Sequence, residues 1–294
     1  MAIKLPVMVA QKVSASAWYV QGASALGSSA NQNFISNAGF VVTPAGVVVI
    51  DALGSPALAT RLVAQIRKLT PLPITHMIVT HYHADHIYGL QTFKALGVRI
   101  FAHPAARDYL NSETARLRLE NSRKDMAPWV NAATHLVEAD EWIEGEKELT
   151  VGGVLFKIKA VGPAHTPEDL VVYVPQEKVL FAGDLVFRNR IPYVGQADSR
   201  HWISALDQLL TFDAHTIVPG HGPYSTEARQ DMQLTRDYLV YLRAAMARAA
   251  RELEPFEEAY AATDWSRFEH LPLFKAANRM NAYNTYLLLE QEGR

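Results

Sequence analysis

Apolar residues in the first part of the chain fall into short β-branched runs: Ala17 to Val20, Phe34 to Val42 and Val47 to Ile50, the last two separated by Pro44-Ala45-Gly46. Runs of this length bounded by proline and glycine predict the strands of a meander. The period then changes. Ser55-Pro56 supplies an N-cap and a first-turn proline, and Leu58, Leu62, Ile66 and Leu69 recur at helical spacing on one face. Ile74 to Thr80 is the next expected strand, Leu90 to Leu96 a helix and Val98 to Ala102 a strand.

From Ala105 to Asn131 the chain turns polar and helix-prone, with Arg116, Arg118, Arg123 and Lys124 among acids, and is read as a helical insertion at about 105–134. Gly152-Gly153 between Leu149 to Val151 and Val154 to Val161 marks a hairpin, and Leu170 to Val174 is expected to pair with Val179 to Ala182. A helix over Ser199 to Leu210, a strand over Thr216 to Val218 and helices near Glu227 to Glu252 and Lys275 to Glu290 follow, giving a helical C-terminal segment at about 225–294. Strands and helices mixed in this order predict an α/β chain with sheets between helical layers. Residues 1–294 are read as one domain.

Composition narrows the chemistry. With 294 residues, 49% of them hydrophobic, the chain can bury a large core. The net charge of -2 carries no long run of one sign, so nucleic acid and anionic membrane surfaces are not expected partners. Cysteine is absent, which excludes disulfides and thiolate nucleophiles and leaves nitrogen and oxygen as metal ligands. The apolar opening from Met1 to Ala10 is broken by Pro6 and is not read as a signal peptide. No stretch reaches the roughly 18 apolar residues of a membrane span. A soluble protein is expected, cytoplasmic if Met1 is the native start and periplasmic if the chain is the matured form of an exported one.

The sharpest chemical feature is Thr80-His81-Tyr82-His83-Ala84-Asp85-His86, a loop after a strand. His81 and His83, two apart, can point the same way and share one ion. Asp85 and His86 are adjacent and more naturally serve a neighbouring ion. Three later loops offer further ligands: His165 in Gly162-Pro163-Ala164-His165-Thr166, Asp184 after Phe181-Ala182-Gly183, and His221 in Pro219-Gly220-His221-Gly222. Taken singly, each is as readily a turn residue or a cap.

In their joint order these elements resemble the metallo-β-lactamase superfamily, and the resemblance covers most of the chain. It implies a four-layer αβ/βα sandwich of two mixed β-sheets flanked by helices. It also implies that His81, His83 and His165 hold one metal, that Asp85, His86 and His221 hold a second, and that Asp184 bridges them. Asp51, ending the Val47 to Ile50 strand, matches a family position as a carboxylate supporting the ligands from behind, although a strand-end aspartate equally caps a loop. Two zinc ions are the expected cofactors, with iron or manganese compatible with the same donors.

The resemblance further implies that such a pair of ions would activate a water or hydroxide for attack on the substrate, with Asp85 orienting it as the catalytic carboxylate. The expected activity is hydrolysis of an ester-like bond (thioester, lactone, lactam or phosphoester) in a small, anionic substrate, the site's net charge being about +1. Asp184 itself argues against antibiotic hydrolysis, since the β-lactamases of this family usually carry cysteine or serine there, while its thioesterases, lactonases, sulfatases and phosphodiesterases carry aspartate. Phe187 stands where many of those lactamases have a substrate-binding lysine. Arg188 and Arg190 could grip a carboxylate instead, or serve as solvated loop charges. Tyr82 and Tyr193 are candidate pocket residues, as are Trp18, Phe34, Tyr88 and Trp202, with core packing the alternative for each. His76, His103, His135, His201, His215 and His270 lack motif context and are read as structural.

Other readings stay open. The first motif also resembles glyoxalase II, but that enzyme's basic glutathione-gripping tail is missing. His-x-His after a strand also opens amidohydrolase-type barrels, yet the regular strand-helix repeat of a barrel is absent. A mononuclear iron dioxygenase on the same fold and a non-catalytic metal-binding module complete the set.

Overall fold

The computed structural model describes residues 7–293. Met1 to Pro6, which begin the apolar opening run, lie outside the described residues. The first sheet contains β1 (Gln11–Lys12), β2 (Ala17–Val20), β3 (Ala38–Thr43), β4 (Gly46–Ile50), β5 (Ile74–Ile78), β6 (Arg99–Ala102) and β7 (Glu141–Trp142), in that spatial order. Between them run α1 (Pro56–Leu69), α2 (Ala84–Ile87), α3 (Leu90–Ala95), α4 (Ala106–Leu110) and α5 (Glu113–Asp125). The second sheet holds β8 (Glu146–Val151), β9 (Val154–Ala160), β10 (Leu170–Val174), β11 (Val179–Phe187) and β12 (Thr216–His221), ordered β12-β11-β10-β9-β8. The remaining helices are α6 (Ser199–Leu209), α7 (Ala228–Glu252), α8 (Phe256–Ala262) and α9 (Phe274–Glu292).

Both sheets are mixed. Strands β1 to β4 pair antiparallel and β4 to β7 parallel, while β11 and β12 are parallel in a sheet otherwise antiparallel. Alternation along each strand sorts side chains between layers. Val48 and Ile50 of β4 join Phe156, Val172 and Phe181 between the sheets, whereas Val47 and Val49 face α1 with Leu58, Leu62 and Ile66. On the other side, Leu180 and Ile217 face Trp202, Leu206, Leu239 and Leu242 of α6 and α7. These three cores define the four-layer αβ/βα sandwich. No helix among the described residues is long and apolar enough to cross a membrane.

Local chemistry explains most boundaries. The Ser55 side chain accepts from Leu58 N, capping α1 ahead of Pro56, a contact worth about 1 kcal/mol. The expected Phe34 to Val42 strand begins only at Ala38, because residues before it cross to the other sheet: Asn37 donates through Nδ2 to Pro219 O (2.8 Å) and Gly222 O (2.7 Å). The Ile74 to Thr80 strand stops at Ile78, the Thr80 amide being taken by Asp51 Oδ1 at 2.8 Å. Part of the histidine-rich loop is the helical turn α2, and α8 has no counterpart in the expected elements.

Candidate metal centre

The ends of β4 and β12, the irregular middle of β11 and the loop after β5 meet at one edge of the sandwich and carry Asp51, His221, Asp184 and His81 there, and the turn after β9 adds His165. Glycine makes the approach possible. A Cβ on Gly220 would lie 1.9 Å from Asp184 Oδ1, and Gly183 holds φ at 51° with Thr80 directly against it.

Two groups result, His81-His83-His165-Asp184 and Asp85-His86-His221, each with its ligand atoms within 4.8 Å of one another. His165 Nε2 lies 3.1 Å from His83 Nδ1 and 3.4 Å from Asp184 Oδ2. In the second group His221 Nε2 is 3.3 Å from Asp85 Oδ2, and His86 Nε2 is 3.6 Å from the same oxygen. Asp184 reaches this group too, with Oδ1 3.2 Å from His86 Nε2 and Oδ2 3.2 Å from His221 Nε2. Donors tetrahedrally placed about 2.0 to 2.2 Å from a zinc ion are about 3.3 to 3.6 Å apart, and the separations here, 3.1 to 3.6 Å, lie at or just below that range. His81 Nε2, His86 Nε2 and Asp184 Oδ1 are moreover buried without a hydrogen bond, a costly state for polar atoms that a shared cation relieves.

The rings are held from behind. His86 Nδ1 donates to Asp51 Oδ2 at 2.9 Å, since a carboxylate only accepts, and this aims Nε2 into the site. Thr80 Oγ1 donates to the same Oδ2 at 2.7 Å, so it must accept from His81 Nδ1 at 3.0 Å. One aspartate thus orients a histidine of each group, directly and through Thr80. Asp51 adopts φ of 64°, a left-handed conformation that aspartate tolerates better than most residues. His221 Nδ1 donates to the Ile35 carbonyl at 2.7 Å, and the ring of Phe187 stacks on it at 5.1 Å.

Burial pushes the His83 imidazole down to about 3 and the His165 imidazole to about 4, which leaves both neutral and able to ligate. Burial alone would raise the carboxyls of Asp85 and Asp184, but their histidine neighbours outweigh it and hold both below the ordinary range.

A cavity of about 650 Å³ opens beside His83 and His165. Tyr82 and Tyr193 line it, the latter edge-on to His83 at 6.2 Å and to His165 at 6.3 Å. Tyr82 is buried, its hydroxyl donating to Val137 O at 3.3 Å. Trp202 packs on His165 at 5.0 Å from within the core, and Trp18, Phe34 and Tyr88 are not among the cavity's lining residues.

The structure gives the two arginines expected to grip a substrate other partners. Arg188 donates through Nε to Asp231 at 2.9 Å and lines a separate cavity. Arg190 is buried over the Phe187 ring, its Nε donating to Ile191 O at 3.2 Å, behind His221 rather than in the cavity by His83. Arg188→Ala is therefore expected to lower stability by about 1 to 3 kcal/mol, because it strands the buried Asp231 carboxylate. Chemical denaturation reads that loss, and a changed KM with unaltered stability would restore the gripping role.

Several residues that sequence reasoning missed fix the cavity wall. Asn281 of α9, fully buried, donates to Pro192 O (2.7 Å) and accepts from Val194 N (3.0 Å), clamping the backbone on both sides of Tyr193. Asn284 donates to Gly195 O at 2.5 Å. Asn281→Ala is expected to cost about 2 to 4 kcal/mol through the orphaned backbone groups and to raise KM as Tyr193 loosens. Denaturation and steady-state kinetics on the same variant would show both effects, and loss of neither would remove the clamp.

A sandwich with buried histidine-aspartate clusters at its strand ends defines a metallohydrolase, and comparison with known proteins specifies which. The sequence profile of the metallo-beta-lactamase superfamily matches residues 32–221, and the chain belongs to that superfamily of metal-dependent hydrolases. It is 23% identical over 237 residues to the linear primary-alkylsulfatase of Pseudomonas sp., covering 69% of this chain and 45% of that protein. It is 27% identical over 195 residues to the metallo-beta-lactamase IND-1 of Chryseobacterium indologenes, covering 65% of this chain and 73% of that protein. Among solved structures, the stereoselective inverting sec-alkylsulfatase Pisa1 from Pseudomonas sp. superposes with a TM-score of 0.75 at 18% identity, over 96% of this chain and 50% of its own. The chain spans less than half the length of the primary-alkylsulfatase it matches.

Proposed function

We propose that residues 1–294 form one catalytic domain that holds two zinc ions and hydrolyses an ester-like bond in a small, anionic substrate. The observation that carries this reading is Asp184, whose two oxygens face histidines of both ligand groups. Iron and manganese fit the same nitrogen and oxygen donors. His81, His83 and His165 would hold one ion, Asp85, His86 and His221 the other, with Asp184 between them. Divalent ions there would lower the pKa of water from about 15.7 to near 7 and polarise the scissile oxygen.

The remaining work falls to the chain's own groups. Asp85 is the more exposed carboxylate, 17% against 4% for Asp184, and as an ionised group it can accept a hydrogen bond from the attacking water and orient it. Asp51, Thr80 and the Ile35 carbonyl keep the imidazoles from turning. Tyr193 and Trp202 screen His165 from bulk solvent. No cysteine is present to form a covalent intermediate.

A second reading, sulfate-ester hydrolysis, is favoured by the Pisa1 superposition, which extends over 96% of the chain. Metal quantification on the purified chain, joined to a panel of thioester, lactone, lactam, phosphoester and alkyl sulfate substrates, tests both. The proposal expects two ions per chain and turnover of a thioester, lactone, lactam or phosphoester. Turnover of alkyl sulfate alone would select the second reading. One ion per chain with oxygen consumption would select a dioxygenase.

A further inference from the structure

The cavity beside the metal centre contains a cation that the chemistry above leaves unused. Arg118 of α5 lines it together with His83 and His165. Other arginines of that helix are committed: Arg116 pairs with Glu113 at 3.2 Å and Glu120 at 2.8 Å, and Arg123 donates to the carbonyls of Asn131 (3.1 Å) and Thr134 (2.6 Å). Arg118 forms no ion pair with any carboxylate among the described residues, although it is half-buried. Beside it the Tyr109 hydroxyl is buried without a hydrogen-bond partner. Tyr109 and Arg118 line the same cavity; burial raises the phenol, and the neighbouring Arg118 opposes that rise by its charge and as a hydrogen-bond donor.

Neither of the cavity's own acids forms an ion pair with Arg118 among the described residues. Glu168 accepts from the Tyr82 amide at 3.0 Å, and Asp108 sits at the exposed rim. A half-buried guanidinium without a counter-ion is a poor investment in stability, but a planar five-donor fork is well suited to seize a carboxylate that arrives with a ligand. The volume of about 650 Å³ accommodates one small molecule reaching from the imidazoles to Arg118.

We propose that Arg118, with the Tyr109 hydroxyl, binds a carboxylate at the far end of the substrate, so that the preferred substrates are monoesters or monothioesters of small dicarboxylic acids. This specificity rests on the hydrolase reading above. It assigns the anion grip to the helical insertion rather than to the loop after β11.

The test uses the zinc-loaded full chain and p-nitrophenyl monoesters of succinate, glutarate, adipate and pimelate, each against the p-nitrophenyl ester of the monocarboxylic acid of equal length. In the parent protein the ratio of kcat/KM, diacid monoester over neutral ester, is expected to peak at one chain length. Arg118→Gln is expected to lower that peak ratio by about tenfold or more, and Arg118→Lys to restore part of it. An unchanged ratio, or equal ratios at all lengths in the parent, overturns the proposal. If neither series is hydrolysed, the ester-hydrolase reading fails on its own, and calorimetric titration with free glutarate and adipate decides about Arg118. Binding to the parent that weakens about tenfold in Arg118→Gln supports the carboxylate site. Equal affinities, or no binding to either, overturn it.

Discussion

Asp184→Ala is expected to strip at least one ion from the two ligand groups and to reduce kcat/KM by on the order of 10³ or more. The side chain stands 3.2 Å from His86 and from His221 and 3.4 Å from His165, so its removal opens both groups at once. Several kcal/mol of transition-state stabilisation depend on a correctly held cation, and each 1.36 kcal/mol is tenfold in rate. Asp184→Asn separates charge from size, because the amide keeps the volume and gives up the anion. Elemental analysis with turnover on the best panel substrate checks both variants. Full metal content in Asp184→Ala would sink the bridging assignment.

The second large effect is expected from Asp51→Ala. Three donors lose their acceptor together: the Thr80 amide, the Thr80 hydroxyl and His86 Nδ1. Each buried orphan costs about 1 to 3 kcal/mol, so the fold should lose about 3 kcal/mol or more. Loss of an orienting carboxylate behind a ligating histidine weakens metal affinity by about 10 to 100-fold. Thermal unfolding and chelator competition read the two losses separately. If stability fell while both ions stayed equally tight, Asp51 would be a loop cap and nothing more.

Legibility in the sequence followed the range of the interactions. The apolar β-branched runs of β3 and β4 and the Ser55-Pro56 cap are local, and they announce their elements, the start of β3 excepted. The histidine-rich motif is local too, since it places members of both candidate groups within a few residues. His165, Asp184 and His221 carry little signal singly and gain meaning only from their order. By contrast, Asn37 acts on Gly222 across 185 positions, and Asn281 acts on Pro192 across 89. No pattern along the chain encodes such contacts. Arg188 illustrates the converse error, a promising charge whose buried partner, Asp231, lies on α7. Arg118 was hidden for the same reason: among the mixed charges of a polar helix it is indistinguishable from its solvated neighbours until the fold turns it toward the cavity.

The clamp formed by α9 lies beyond residues 32–221, where the superfamily match ends. One support of the cavity wall thus comes from outside the stretch that carries the histidine-aspartate clusters. Diversifying the final helix, or exchanging it for that of a cousin, offers a route to redirect the enzyme toward new molecules while its hydrolytic heart is inherited intact.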